Sequence, residues 1–242
     1  MSSKDEVLKR IRAALEHEPR VGLHRCPFVI DLGDDGTLTL EGEAENIAAK
    51  KLALELAASV PGVGGIVDRL RVVPAERMGD GAVRDHVRAA LLEEPAFNNC
   101  GVAVRVKDRL ENFRAPSATP PAYIEVAVDD GVVTLNGQVE SLTHKRLAGL
   151  LAWWVPGSRD VVNGLEVVPP EDDSDDEITD AVRLALEKDP FVNPDRMRAS
   201  TRNCVVTLDG FALNQEEKEM AEMDAWYIFG VDKVINQLET LQ

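Results

Sequence analysis

Apolar residues recur four positions apart in three places along the chain: Val7, Ile11 and Leu15; Val83, Val87 and Leu91; Ile178, Val182 and Leu186. That spacing lines one face of an α-helix and predicts three opening helices. The second run begins 76 residues after the first and the third 95 after the second. Pro19, Pro95 and Pro190 follow at the same offsets. Each ends its helix, because proline has no N–H with which to continue it. The first and third copies open with Ser-x-x-Glu (Ser3 to Glu6, Ser174 to Glu177), the spacing of a capping box.

Hairpins come next. Phe28 to Leu32 and Leu38 to Leu40 flank Gly-Asp-Asp-Gly, and Ile124 to Val128 and Val132 to Leu135 flank Asp-Asp-Gly. Asp-Gly between β-formers predicts a tight turn with positive φ. In the third copy Arg202-Asn203 takes the turn and Val205 to Leu208 the second strand. Each second strand closes on Leu-x-Gly, at Gly42, Gly137 and Gly210, where a glycine implies a backbone conformation or close approach that a side chain would block.

A second helix follows, with Ala48, Leu52 and Leu56 on one face in the first copy and Leu147, Leu151 and Val155 in the second. Both run into Val-Pro-Gly (Val60 to Gly62, Val155 to Gly157); the third copy keeps Phe229-Gly230-Val231. A last strand carries Asp68, Asn163 or Asn236 two residues before Leu70, Leu165 or Leu238.

The pattern predicts an α+β protein of three tandem αββαβ modules, each a small three-stranded sheet packed on two helices. Module 1 is placed at residues 1–75, module 2 at 79–170 and module 3, degenerate at its turn, at 174–242. Gly137 lies 95 residues after Gly42 although the opening helices are 76 apart, so module 2 holds 19 extra residues. They fall near 107–122 and include Pro116 to Pro121. This segment is expected to be exposed and mobile, since its prolines cannot pair in a sheet interior.

The formal charge of −16 changes the choice of partners. Such an excess repels phosphate backbones and anionic headgroups at long range, so no nucleic-acid partner is expected. The chain opens without a secretory leader pattern and contains no run long and apolar enough to span a membrane. The three cysteines Cys26, Cys100 and Cys204 are far apart without CxxC spacing, the mark of a reduced set. A cytoplasmic location is expected.

The order of elements, with the hairpin glycine, Val-Pro-Gly and the Val-x-Asn/Asp-x-Leu closing strand, resembles the BON domain. The resemblance covers nearly all of the first two copies. It implies a bacterial, non-catalytic module that attaches to phospholipid membranes or to other envelope proteins, often in exported chains.

Chemistry is sparse beside this. The four histidines, His17, His24, His86 and His144, occupy unrelated places in the repeat, and an acid/base or metal role needs converging partners. The run Glu171 to Glu177 lacks the glycine and final glutamate of a calcium loop and reads as a solvated linker whose carboxylates favour a helix N-terminus. Gly62-Val-Gly-Gly65 lacks the rest of a phosphate-loop pattern. The aromatic pairs Trp153-Trp154 and Trp226-Tyr227 occupy one repeat position, where copy one has Ala58-Ser59. Adjacent helix positions cannot share one core stripe, so one member of each pair is expected at an inter-module contact or a partner surface. The expected function is a binding or scaffold protein with no catalytic residues, no metal and no cofactor, engaging a protein partner in a stress or envelope setting. The alternatives are peripheral phospholipid binding and an enzyme site between repeats.

Overall fold

A computed structural model describes residues 4–117 and 121–241, which divide into two compact units, 1–73 and 74–242. The first unit is module 1; the second holds modules 2 and 3. Ser3, half of the first capping box, lies outside the described residues, as do Ala118 to Pro120 of the proline segment.

Module 1 runs α1 (Lys4–His17), β1 (Val29–Leu32), β2 (Thr37–Ala44), α2 (Ile47–Ala58), β3 (Gly65–Val72). β1 is antiparallel to β2, and β2 is parallel to β3 across the α2 crossover. The periodicities explain the burial. Val7, Ile11 and Leu15 of α1 are buried, while in β2 Leu38 and Leu40 point to the helices and Glu41 to solvent. Asn46 caps α2 by accepting from the Ala49 N–H.

Module 2 runs α3 (Asp80–Glu93), β4 (Gly101–Val106), β5 (Arg109–Arg114), β6 (Tyr123–Asp129), β7 (Val132–Val139), α4 (Leu142–Trp153), β8 (Asp160–Val167). Its sheet has five strands in the order β5-β4-β6-β7-β8, not three. The extra residues are largely a hairpin: β4 and β5 are antiparallel, and β4 adds in parallel to β6. The expectation of a loop over 107–122 is therefore corrected for residues 109–114, which form strand β5; Arg109 to Phe113 are exposed, as expected, and Arg114 is half-buried. Arg114 fixes the hairpin by donating to three carbonyls at the end of α3 and the turn after it, those of Leu92, Phe97 and Cys100. Arg88 of α3 stacks over the Phe113 ring at 4.3 Å.

Module 3 runs α5 (Asp175–Lys188), β9 (Met197–Arg202), β10 (Val205–Ala212), α6 (Gln215–Tyr227), β11 (Lys233–Asn236), β12 (Glu239–Thr240). Its turn is Asn203-Cys204, both at positive φ, one residue later than the sequence suggests. β9 pairs antiparallel with β10, and β11 and β12 pair with it in parallel.

The three modules share register. Leu40 faces Asp68, Leu135 faces Asn163 and Leu208 faces Asn236 across the parallel pair. Gly42, Gly137 and Gly210 have φ of 144°, 127° and 117°. A Cβ there would stand 3.3, 2.2 and 2.2 Å from the carbonyl oxygens of Pro27, Tyr123 and Arg196. The repeated glycine thus answers both to backbone conformation and to the neighbouring strand.

Candidate functional site

The repeated acid or amide of the closing strand ties strand to helix. Asp68 Oδ1 accepts from the Leu70 N–H at 2.9 Å, and Asn163 and Asn236 do the same for Leu165 and Leu238 at 3.4 and 3.1 Å. The rest of the side chain reaches the second helix. The Asn163 and Asn236 amides donate to the Lys145 and Lys218 carbonyls, while Asp68 pairs with Lys50 Nζ at 2.9 Å. Lys50 and Lys218 also donate to the Leu70 and Leu238 carbonyls. Lys145, at the same repeat position, instead sits over the Phe229 ring of module 3 at 5.3 Å.

That diversion marks the seam between modules 2 and 3, where α4 packs on α5 and α6. Trp153 of α4 stacks on Tyr227 of α6, with ring centroids 5.6 Å apart and planes 22° from parallel. Trp154, the residue after α4, donates its indole N–H to Asp224 of α6 at 3.0 Å. Trp226 is fully buried, and its indole N–H lies 3.4 Å from Glu222, whose other oxygen accepts from Asn236 of β11. The four aromatics thus divide. Trp153, Trp154 and Tyr227 meet across the seam, whereas the Trp226 indole is fastened within module 3.

Charged residues of this seam carry no signal in the spacing of the sequence. Arg146 of α4, 1% exposed, donates to the Phe229 carbonyl at 3.0 Å and to both Asp173 oxygens at 2.7 and 2.8 Å. Its Nη1 has no hydrogen-bond partner. Lys188 at the end of α5 reaches Glu94 of module 2 at 2.9 Å. The acidic linker is more than a solvated tether: besides Asp173, Glu171 accepts from the Leu142 N–H of α4. Ser174 caps α5 by accepting from Glu177, and Asp175 accepts from the Asn203 and Cys204 N–H groups of the hairpin turn. Asp80 does the same in module 2, toward Asp130 and Gly131. These clamps could have been found from the shared repeat position of Asp80 and Asp175.

Asp224 is the seam's electrostatic anomaly. It is 3% exposed, and burial pushes its carboxyl up to about 8; the Asp189 carboxylate adds to the rise by its charge and as acceptor of the proton. Oδ2 is buried, and no donor group among the described residues reaches it. Burial, and then the Asp224 charge, also raise the Tyr227 phenol. The raised carboxyl favours the neutral acid at the seam, with Oδ1 accepting from Trp154.

The remaining candidates are dispersed. His144 bridges Ser141 Oγ at 2.7 Å and the Ala96 carbonyl at 3.2 Å, holding α4 to the turn after α3. Burial raises the Cys100 and Cys204 thiols, and neighbouring carboxylates raise them further, opposite to what a thiolate nucleophile needs. No helix among the described residues is long and apolar enough to cross a membrane.

With fold, register and seam in place, the class is plain: the BON domain profile matches residues 33–74, 105–169 and 174–242, and the chain belongs to that family. Among individual proteins it is similar to Osmotically-inducible protein Y of Escherichia coli (strain K12), 28% identical over 139 residues. That match covers 55% of this chain and 58% of the relative, less than two thirds of its length. Two structures of the Chlamydia trachomatis type III secretion protein CdsD are each 16% identical. The first, its C-terminal domain, aligns over 100% of both chains, and the second over 97% of this chain and 92% of its own. Both have a TM-score of 0.25, too low to bear on fold or function.

Proposed function

We propose that the chain is a non-catalytic, cytoplasmic scaffold that uses its BON modules to bind a protein partner during osmotic stress. One observation carries the reading: modules 2 and 3 form a single compact unit around a buried seam, whereas module 1 is a compact unit of its own. The seam consumes the aromatics and charges of modules 2 and 3 in mutual contacts. Module 1 has Ala58 and Ser59 at the aromatic position and is the module this reading assigns to the partner. The family relation to an osmotically inducible protein supplies the physiological setting.

Affinity capture by the full-length chain from its native cells after an osmotic upshift, read by mass spectrometry, tests the partner. A stoichiometric protein is expected. Sedimentation of the full chain with neutral and anionic phospholipid vesicles tests the competing idea. With a net charge of −16, no binding to anionic vesicles is expected, and reproducible binding at low salt would place phospholipid ahead of protein.

A further inference from the structure

Modules 2 and 3 differ at the outer edge of the hairpin's first strand. In module 2 that strand is β6, and β4 covers it in parallel, from Gly101 beside Tyr123 to Val104 beside Val126. In module 3 the same strand is β9: Ile124 faces Gly137 as Met197 faces Gly210, so Val126 corresponds to Ala199. Among the described residues β9 pairs with β10 alone, and its other edge is open. Arg202 and Val205 close the two-residue turn, so the hydrogen-bonded pairs continue at Ser200–Thr207 and Arg198–Asp209. Met197 and Ala199 therefore turn their backbone groups outward. A groove of about 440 Å³ lies along this edge, with Leu186 of α5, Met197 and Ala199 as its apolar lining.

The two edges carry opposite charge on the sheet face away from the helices. β6 presents Glu125 and Asp129 there, and β4 answers with Arg105, which pairs with Glu125 at 2.6 Å. β9 has Arg198 and Arg202 at those two places and Arg196 at that of Tyr123. All three arginines are exposed, and their side chains have no hydrogen-bond or ion-pair partner among the described residues. Against them the same face of β9 and β10 holds one carboxylate, Asp209.

We infer that the β9 edge of module 3 docks an extended acidic segment of a protein partner, which adds to it as a parallel strand. The register is that of β4 on β6. Apolar residues opposite Met197 and Ala199 turn toward Leu186, as the buried Val102 and Val104 turn inward in module 2. Acidic residues alternate with them and meet Arg198 and Arg202, the reverse of the Arg105–Glu125 pair. Arg183 marks the vacancy. Its counterpart Arg88 stacks over Phe113 of the hairpin that fills the module 2 edge, whereas Arg183 reaches the Ala199 carbonyl at a long 3.5 Å. An incoming strand replaces that weak contact with ladder hydrogen bonds. The edge lies outside the seam, and the inference goes beyond the reading that gives module 1 a partner.

The test is chemical-shift mapping and amide exchange on the full-length, isotope-labelled chain. The probe is Ac-Gly-Val-Glu-Val-Glu-Val-NH2, the pattern of Gly101 to Val106 with acids on the open face, and Ac-Gly-Val-Lys-Val-Lys-Val-NH2 is the control. The acidic peptide is expected to shift the amides from Met197 to Thr201 and to bind at least about tenfold more tightly than the control. At saturation it should slow exchange at the outward-facing Ala199 amide at least about tenfold. Arg198→Glu, a change at an exposed side chain, is expected to reverse the preference between the peptides, and Arg202→Glu to weaken it. Shifts confined to other surfaces, equal binding of the two peptides, or an unchanged preference in both variants would overturn the site. So would shifts without slower exchange at Ala199, which would make the contact a charged patch and not a strand pairing. Displacement of the peptide by anionic phospholipid vesicles would also overturn it, by making the edge a lipid contact.

Discussion

Modules 1 and 3 are the same scaffold finished in opposite ways. Both cap the second helix with an asparagine, and both tie it to the closing strand through a lysine and an acid or amide. Module 3 then buries Trp226 and spends Asp224 and Tyr227 on module 2, whereas module 1 stops at Ala58 and Ser59. Charge follows the same division: residues 1–73 hold ten basic and twelve acidic side chains, and residues 74–242 hold seventeen and thirty-one. In a repeat protein the shared ties specify the module, and the unshared end of the second helix decides whether it packs on a sibling.

Trp226→Ala should produce the largest effect that separates the two. It removes a fully buried indole and should cost the unit of modules 2 and 3 about 3–5 kcal/mol. Denaturant unfolding followed by far-UV circular dichroism should show the later module 2–3 transition move while that of module 1 stays in place. A mutant in which both transitions move together would show that the units unfold as one.

Asp224→Asn comes next, and its effect depends on pH. The folded carboxyl titrates near 8 against an ordinary 3.8, so the folded state keeps a proton that the unfolded chain releases. This group's contribution to stability is full below about pH 4, falls by up to roughly 1.4 kcal/mol per unit as pH rises toward 8, and is level above. Asparagine keeps an acceptor for Trp154 without the charge. The variant should match wild type near pH 4 and exceed it by a few kcal/mol at pH 8 and above. A stability difference that does not change with pH would mean that Asp224 is already ionised in the fold. Module 1, with Leu56 at that position, should show no such dependence.

The repeated glycines sharpen the comparison further. Gly210→Ala places a Cβ 2.2 Å from a backbone oxygen, and Gly42→Ala places one 3.3 Å from its counterpart, both at positive φ. The first should cost about 2–3 kcal/mol and the second about 1, read from the same two transitions.

How much of this was legible follows from the kind of signal involved. Helices, hairpins and closing strands leave periodic marks, so Val7, Ile11 and Leu15 or the Asp-Gly turn could be read directly. The β4–β5 hairpin was missed because Val102, Val104 and Val106 alternate correctly but have no counterpart in the other copies, and the prolines after them drew attention to a loop. The position of the aromatic pairs was visible. Their division was not, because which member turns toward α4 depends on the packing of helices distant in sequence. Arg146, Asp173 and Asp224 were invisible for a related reason. Charged residues on a helix or linker read as solvated until a neighbour buries them, and Arg146 pairs with a residue 27 positions away.

The smallest expected effect concerns the first residue of the opening helix. Asp80 in module 2 accepts two turn N–H groups, at 3.2 and 2.9 Å, and Asp175 in module 3 does likewise at 2.7 and 2.9 Å. Both also place a negative charge in a helix's first turn, where the macrodipole favours it. Module 1 has Lys4 at that place, 4.0 Å from the fully exposed Asp34, a contact that solvent screens. Its turn instead closes locally, with Asp35 accepting from the Thr37 N–H and hydroxyl, which lowers that carboxyl's pKa. Asp80→Ala should therefore destabilise modules 2 and 3 by about 1 kcal/mol, as expected for a lost cap, and speed amide exchange at Asp130 and Gly131. Lys4→Ala should leave both the melting of module 1 and exchange at its turn unchanged. Should Lys4→Ala instead loosen the Asp34–Gly36 turn as Asp80→Ala loosens the turn of module 2, the opening residue clamps every copy and the contrast between modules at this site fails.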